Sequence, residues 1–179
     1  MTSTVFLRPL EPSDFDDRYL SWFKDSDVTR FLDARNISRK DALTHLYQGI
    51  ESKAWRMFAI CRAPDGLHIG NLKIGPVHRR HMTSDLVTVI GERNAWGKGY
   101  ARAAICQGMK IAFGQMGIRK LSASIDGLNI GSIKAYTSAG FSIEARLPDQ
   151  YMSQDKGQPV LSEKVFVGCY NPAQNPEPG

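Results

Sequence analysis

The sequence predicts one α/β domain, with a central mixed, largely antiparallel, twisted sheet of about seven strands and about four helices. Three observations lead there. Short runs rich in β-branched residues alternate with longer stretches whose apolar residues recur at helical spacing. The turn "APDGL" (Ala63 to Leu67) joins two of the short runs as a hairpin. A glycine-rich loop, "WGKGYA", separates an apolar run from an alanine-rich helical stretch. The resulting order is β-α-α-β-β-β-α-β-α-β-β, spread over residues 1–170.

"VFLRPL" (Val5 to Leu10) opens the fold as a strand ended by proline. "EPSDFDDRYLSWF" reads as a helix start, with Ser13 as cap and Asp14, Asp16 and Asp17 at the positive end of the dipole. A second helix starts near Ser38 and places Ala42, Leu43, Leu46, Tyr47 and Ile50 on one face. "WRMFAICR" and "HIGNLKIGPV" are the hairpin strands, and "DLVTVIG" (Asp85 to Gly91) is apolar enough to be central. The next helix, from about Gly99 to Met116, buries Ala101, Ile105, Met109, Ala112, Phe113 and Met116, with Gly117 as a left-handed cap. "KLSASI" is a strand, and a helix from Ile130 to Ala139 stops at Gly140. Strands at Phe141 to Leu147 and Lys164 to Tyr170 close the fold. The polar stretch between them reads as a long loop or loose hairpin connection. Residues 171–179, "NPAQNPEPG", carry three prolines and no apolar anchor, so this tail is expected to be disordered.

Composition excludes several classes. The chain has 179 residues, 42% of them hydrophobic and 23% charged, as in an ordinary globular domain. No apolar run reaches the ~18 residues of a membrane span. The N-terminus has no positive n-region and no apolar h-region, which leaves the cytoplasm as the default location. Cys61, Cys106 and Cys169 are odd in number and widely spaced, so neither a disulfide framework nor a zinc site is expected. The formal charge of +5 comes without a Lys/Arg block of nucleic-acid type. The densest basic patch is "HRRH", His78 to His81.

The glycine loop needs a reason. An apolar strand, a glycine-rich turn and a helix N-terminus together make an anion site, because the first helical amides lack internal partners. Lys98 adds charge there. The loop lacks the Walker pattern G-x-x-x-x-G-K-[ST]. It also lacks the third glycine of the dinucleotide fingerprint, since Arg102 stands at that place.

Downstream lies "NIGSIKAYTSAGF", with Asn129, Ser132, Tyr136, Gly140 and Phe141. With "WGKGYA", it resembles the GNAT superfamily of acyl-CoA-dependent N-acyltransferases, in particular the RimJ/RimL-type branch that acetylates ribosomal-protein N-termini. The likeness runs from Val5 to about Tyr170. It implies a GNAT-like fold and acetyl-CoA as cosubstrate, with no metal. It implies that Trp96, Gly97, Lys98, Gly99, Tyr100 and Ala101 hold the coenzyme pyrophosphate through backbone amides. It further implies that the strand ending at Val89 and Ile90 splays from its neighbour and pairs with the pantetheine. Asn129 and Ser132 then line the thiol region, and Tyr136 protonates the departing thiolate. The family usually has Gln or Arg three residues before the first glycine, and Asn94 stands there instead.

Each residue also has a plainer reading. Asn129 can cap the helix after it, Ser132 can bond the helix end, and Tyr136 can be a core aromatic with a satisfied hydroxyl. Trp96 fits a packing role that fixes the loop. The reaction needs a neutral amine, and an α-amine near ~7.7–8.0 yields its proton more readily than a lysine near ~10.4. His45 and His68 are poorly placed as bases. Glu92, acting through water, is the candidate base, and a solvated loop carboxylate is its plainer reading. A backbone amide between Val89 and Gly91 is the expected oxyanion donor. The acceptor is a protein N-terminal α-amine or a small-molecule amine. A nucleotide-linked amino sugar is the alternative, with Arg30, Arg35 and the "HRRH" loop meeting its phosphates. A catalytically silent acyl-CoA sensor is the alternative of another class. The sequence leaves a homodimer open.

Overall fold

The computed structural model describes residues 4–63, 65–155 and 157–174. Seven strands form one sheet: β1 (Val5–Pro9), β2 (Arg56–Arg62), β3 (His68–His78), β4 (Thr83–Ile90), β5 (Lys120–Asp126), β6 (Ser142–Asp155) and β7 (Gln158–Tyr170). Their spatial order is β1-β2-β3-β4-β5-β7-β6. All neighbours are antiparallel except β4 and β5. The helices are α1 (Asp17–Trp22), α2 (Arg39–Ser52), α3 (Tyr100–Lys110) and α4 (Ile130–Ser138). Element order and strand number match the expectation from the sequence.

The sheet is covered on both faces. One buried cluster joins Ile60, Leu72 and Leu86 to Ala104 and Ile105 of α3, Ala112 just after it and Tyr136 of α4. The other joins Ala59 and Cys61 to Phe15, Tyr19, Trp22 and Phe23 around α1, and to Ala42 and Leu46 of α2. Side chains alternate along a strand, so β2 contributes to both clusters and β4 adds Leu86 to the first and Val89 to the second. No helix among the described residues is long and apolar enough to cross a membrane.

Several local readings need correction. Asp16, not Ser13, caps α1: its carboxylate accepts the Tyr19 amide at 2.8 Å. Pro12–Asp14 forms a separate 3-10 turn. Ser38 does cap α2. That helix, however, buries Ala42, Leu46 and Gly49 and leaves Tyr47 and Ile50 exposed. The cause is Trp55, which packs where a side chain at Gly49 would stand. In α3 the buried positions are Ala104, Ile105 and Gly108, and the helix runs on into a π turn over Ile111–Gln115, where Ala112 is buried. Gly117 takes the left-handed conformation expected of it, φ 66°.

The polar stretch after Leu147 is strand rather than loop. β6 and β7 run on as a hairpin paired out to Asp155↔Gln158, with a register shift between Leu147 and Tyr151. The ordered chain also passes residue 170. Asn171 is buried, its amide donates to the Arg119 carbonyl at 2.8 Å, and its side chain reaches the Ile118 carbonyl at 3.3 Å. Residues 175–179 of the expected tail lie outside the described residues.

Candidate active site

The sheet has a wedge at its centre. β4 and β5 pair only at Thr83↔Lys120, Ser84↔Leu121 and Asp85↔Ser122. Beyond Asp85, β4 stays with β3 as far as Ile90, while β5 stays with β7 as far as Asp126. The ladder explains which backbone groups face the gap. The Gly91 amide donates to the Ile69 carbonyl at 2.9 Å, so by alternation Val87 and Val89 also turn toward β3. Leu86, Thr88 and Ile90 turn toward the opening.

Unpaired backbone groups at such depth are costly, and side chains meet two of them. The Tyr136 hydroxyl donates to the Leu86 carbonyl at 2.6 Å. The Trp96 indole donates to the Ile90 carbonyl at 2.8 Å. Thr88 lies between the two. Its hydroxyl is buried and makes no hydrogen bond.

Tyr136 comes from α4 and is 3% exposed, with the Phe141 ring set edge-on at 5.1 Å. Burial pushes its phenol well above the ordinary tyrosine value. Thr88 beside it pulls the other way, and Asp85 adds to the upward push. The phenol therefore keeps its proton throughout the physiological range. Tyr136 is thus a core aromatic whose hydroxyl points into the wedge.

The loop is built for close approach. Gly97 and Gly99 have φ 71° and 77°, a region that L side chains rarely adopt. A Cβ on Gly97 would face open space. Gly99 is the N-cap of α3 and supplies no side chain to cap Tyr100, Ala101 and the rest of the first turn. Lys98 is exposed beside them. Trp96 fixes the loop through its bond to β4, and Arg93 lies 5.9 Å from its ring while pairing with Asp27 at 2.7 Å.

The wedge opens into a cavity of about 510 Å³. Val89, Asn129, Ser132 and Tyr136 line it, with Arg30 to Arg35 on one side and Tyr151 to Ser153 on another. Asn129 caps α4, accepting the Ser132 amide at 3.1 Å, while also lining the cavity. The structure thus brings Tyr136, Ser132, Asn129 and Val89 together. Ile90 instead packs into the core beneath α3.

Glu92 and Asn94 fall elsewhere. They line a separate recess of about 410 Å³ with Arg18 and Trp22. The Glu92 carboxylate accepts the Trp22 indole at 3.1 Å and an Arg18 nitrogen at 3.4 Å. Trp22 lies where a side chain at Gly91 would stand, which ties α1 to the end of β4. Glu92 is thereby held away from Tyr136. Within the Val89–Gly91 span expected to supply the oxyanion donor, the Val89 and Gly91 amides are committed to β3. Those facing the wedge belong to Thr88 and Ile90. Arg30 and Arg35 line the cavity, whereas the "HRRH" loop turns at the far end of β4, with His78 and His81 stacked at 4.5 Å.

Three cavity features have no counterpart among the residues expected from the sequence. Asp85 stands where β4 and β5 part. Asp126 is buried and accepts hydrogen bonds from Ser153 and Ser162, which are far off in sequence. Lys73 reaches the cavity from β3. A lone acid in an apolar strand was the available signal for Asp85. The Asp126 cluster depends on strand pairing that the sequence hides.

The comparisons agree with this geometry. The family model described as acetyltransferase (GNAT) domain matches residues 4–142. An uncharacterized N-acetyltransferase, p20, from Bacillus licheniformis is 25% identical over 153 residues, covering 83% of this chain and 84% of that protein. Among solved structures, spermidine N-acetyltransferase from Vibrio cholerae, in complex with CoA and spermine, superposes with a TM-score of 0.82 at 17% identity. That likeness covers 96% of this chain and 97% of the other. A GNAT-family acetyltransferase from Bacillus anthracis gives a TM-score of 0.76 at 16% identity, covering 96% and 97%. With more than half its length matched, the chain belongs to the GNAT acetyltransferase family, and is an acyltransferase that takes its acetyl group from acetyl-CoA.

Proposed function

We propose that the protein acetylates the primary amine of a small molecule that enters the cavity, with acetyl-CoA lying along the free edge of β4. The observation that carries this reading is the wedge itself. It exposes the Thr88 and Ile90 amides, ends at a protonated tyrosine and opens into a chamber large enough for a compact amine. The binding of a polyamine by the Vibrio structural relative supports a small-molecule acceptor. A peptide α-amine, the acceptor suggested by the RimJ/RimL resemblance, is the second reading, supported by its lower pKa.

The residue roles follow from placement. Backbone amides of Gly97 to Ala101 receive the pyrophosphate, with Lys98 adding charge. Thr88 and Ile90 pair with the pantetheine or stabilise the oxyanion. Ser132 and Asn129 flank the thioester. Attack by the neutral amine forms the N–C bond and breaks the C–S bond, and the sulfur takes the Tyr136 proton. Desolvation of a thiolate in the wedge raises its proton affinity too, which keeps that transfer within reach of a phenol shifted upward. Glu92 stays with Arg18 and Trp22 as a clamp on α1.

The test is acetyl-CoA-dependent thiol release against a panel of amines, with product masses measured. The panel holds polyamines, Ser- and Ala-starting peptides, aminoglycosides and nucleotide-linked amino sugars. Turnover on small amines is the expected result. Turnover on peptides alone moves the assignment to the second reading. Tight acetyl-CoA binding without transfer to any amine favours a sensor.

A further inference from the structure

We infer that the Thr88 hydroxyl is a second donor to the Tyr136 oxygen, engaged when that phenol passes its proton to the departing sulfur, an assignment that rests on the acid role proposed for Tyr136. Position comes first. The Tyr136 hydroxyl donates to the Leu86 carbonyl at 2.6 Å. Thr88 lies two residues further along β4, so its side chain shares the face of Leu86, the face on which α4 delivers Tyr136. It stands past the last β4–β5 pair, Asp85↔Ser122, and lines the chamber with Tyr136.

The second observation is that this hydroxyl is orphaned. Its oxygen is buried and, among the described residues, has no hydrogen-bond partner. A buried hydroxyl left unpaired costs stability. Valine would suit a strand as well, and Val87, Val89 and Ile90 beside it are all apolar and β-branched. The hydroxyl is what sets position 88 apart, and the fold makes no use of it. Tyr136 does. Thr88 stands close enough to weaken the phenol's hold on its proton, although no hydrogen bond joins the two hydroxyls in the resting protein.

The resting arrangement explains why a second donor matters. While Tyr136 keeps its proton, the phenol donates to Leu86 and asks little of Thr88. Once that proton leaves, the oxygen carries negative charge in a buried place. It then faces the Leu86 carbonyl, an acceptor that repels it. A donor is worth far more at that moment than before. Charged side chains do not supply it. Asp85 and Lys73 alternate with Leu86 and Leu72, which pack beneath α3, so both point to the other face. On β5, Lys120 pairs with Glu144, and Asp126 is held by Ser153 and Ser162. A bond absent at rest and made during reaction raises kcat and leaves KM alone.

The protons balance. The neutral amine bonds to the thioester carbon, the C–S electron pair leaves with sulfur, and Tyr136 gives the sulfur its proton. The surplus proton on nitrogen then restores the phenol. Thr88 keeps its own proton throughout and turns it toward the Tyr136 oxygen between the two transfers.

The experiment compares wild type, Thr88→Val and Thr88→Ser. Thr88→Val should lower kcat about tenfold or more and keep the KM for acetyl-CoA within about twofold, as for a hydrogen bond to a charged group. Thr88→Ser keeps the hydroxyl and should restore most of the loss. The melting temperature of Thr88→Val should equal or exceed that of wild type, because no existing bond is removed. In a Tyr136→Phe background, Thr88→Val should cost nothing further. One readout needs no amine at all. With Tyr136 replaced by a more acidic difluorotyrosine, phenolate absorbance reports the titration of that phenol. Thr88→Val should raise its pKa by about one unit and Thr88→Ser should leave it in place. An unmoved titration overturns the contact. So does the same tenfold loss in the Tyr136→Phe background, or a Thr88→Val melting temperature well below wild type, which marks a structural hydroxyl. Full turnover by Tyr136→Phe overturns the acid role itself, a failure visible whichever way the titration falls.

Discussion

Tyr136 is the proposed acid, and its setting can be read at the scale of a single side chain. Its hydroxyl satisfies the Leu86 carbonyl, and burial keeps it protonated. Tyr136→Phe should therefore lower kcat by about 100-fold while leaving acetyl-CoA affinity within about twofold. It should also cost about 1–3 kcal/mol of stability, because the carbonyl loses its partner. Unchanged turnover in a folded variant would remove Tyr136 from the acid role. The residue stood out in the sequence because its spacing from Asn129 and Ser132 repeats a family motif. Thr88 and Asp85 did not. Both are polar residues scattered among the apolar ones of β4, and nothing local says that the neighbouring strand departs beside them. Glu92 drew notice for its place just past β4, and Arg18 and Trp22, some seventy positions upstream, decide its fate.

At the scale of elements, the glycine loop and the last hairpin mark the limits of local reading. The loop was legible because two glycines before a helix demand an explanation, and both adopt left-handed backbone. Gly99→Val places a β-branched residue at φ 77°. That conformation costs roughly 1–2 kcal/mol for an ordinary L residue, and the side chain stands where the anion approaches. Acetyl-CoA affinity should fall at least about tenfold, comparable to one pyrophosphate contact of about 1.4 kcal/mol. Calorimetry on the folded variant checks this, and wild-type affinity would refute the account of the loop. The β6–β7 connection reads from the sequence as a long loop or loose hairpin, not as continuous strand, for a physical reason. β6 is an edge strand exposed along most of its length, so it needs no alternation of apolar and polar residues. The helix faces were partly misjudged for another reason. Gly49 is buried by Trp55, and glycine carries no apolar signal of its own.

For the whole molecule, two cores on opposite faces of one sheet set stability, and pH acts on the one beneath α1. His68 is 5% exposed there and touches the Gly70 carbonyl and the Asn71 side chain at 2.9 and 3.0 Å. Burial lowers its pKa below 6.5, with Asn71 and Asp14 offsetting part of the effect. Below pH 6.5 the unfolded chain takes up the proton and the folded chain resists it. Stability should thus be flat above that pH and fall as pH drops, by up to about 1.4 kcal/mol per unit. His45, also lowered by burial, acts in the same direction. Asp85, raised by burial, opposes them as it protonates in the folded state. Urea midpoints between pH 7.5 and pH 5.5 (roughly one unit either side of the histidine pKa) measure the slope. A His68→Gln variant should flatten it, and an unaltered slope would place the acid sensitivity elsewhere.

The narrow contact between β4 and β5 has a mechanical meaning. The sheet is two plates, β1 to β4 and β5 to β6, each internally antiparallel, joined by a weld of three residue pairs. Backbone pairing between the plates rests on that weld alone, and the shared core beneath α3 supplies the rest of the joint. If acetyl-CoA lies in the wedge as proposed, it bridges the plates as a splint, its occupancy stiffens the molecule as a whole, and product release frees the two plates to rock.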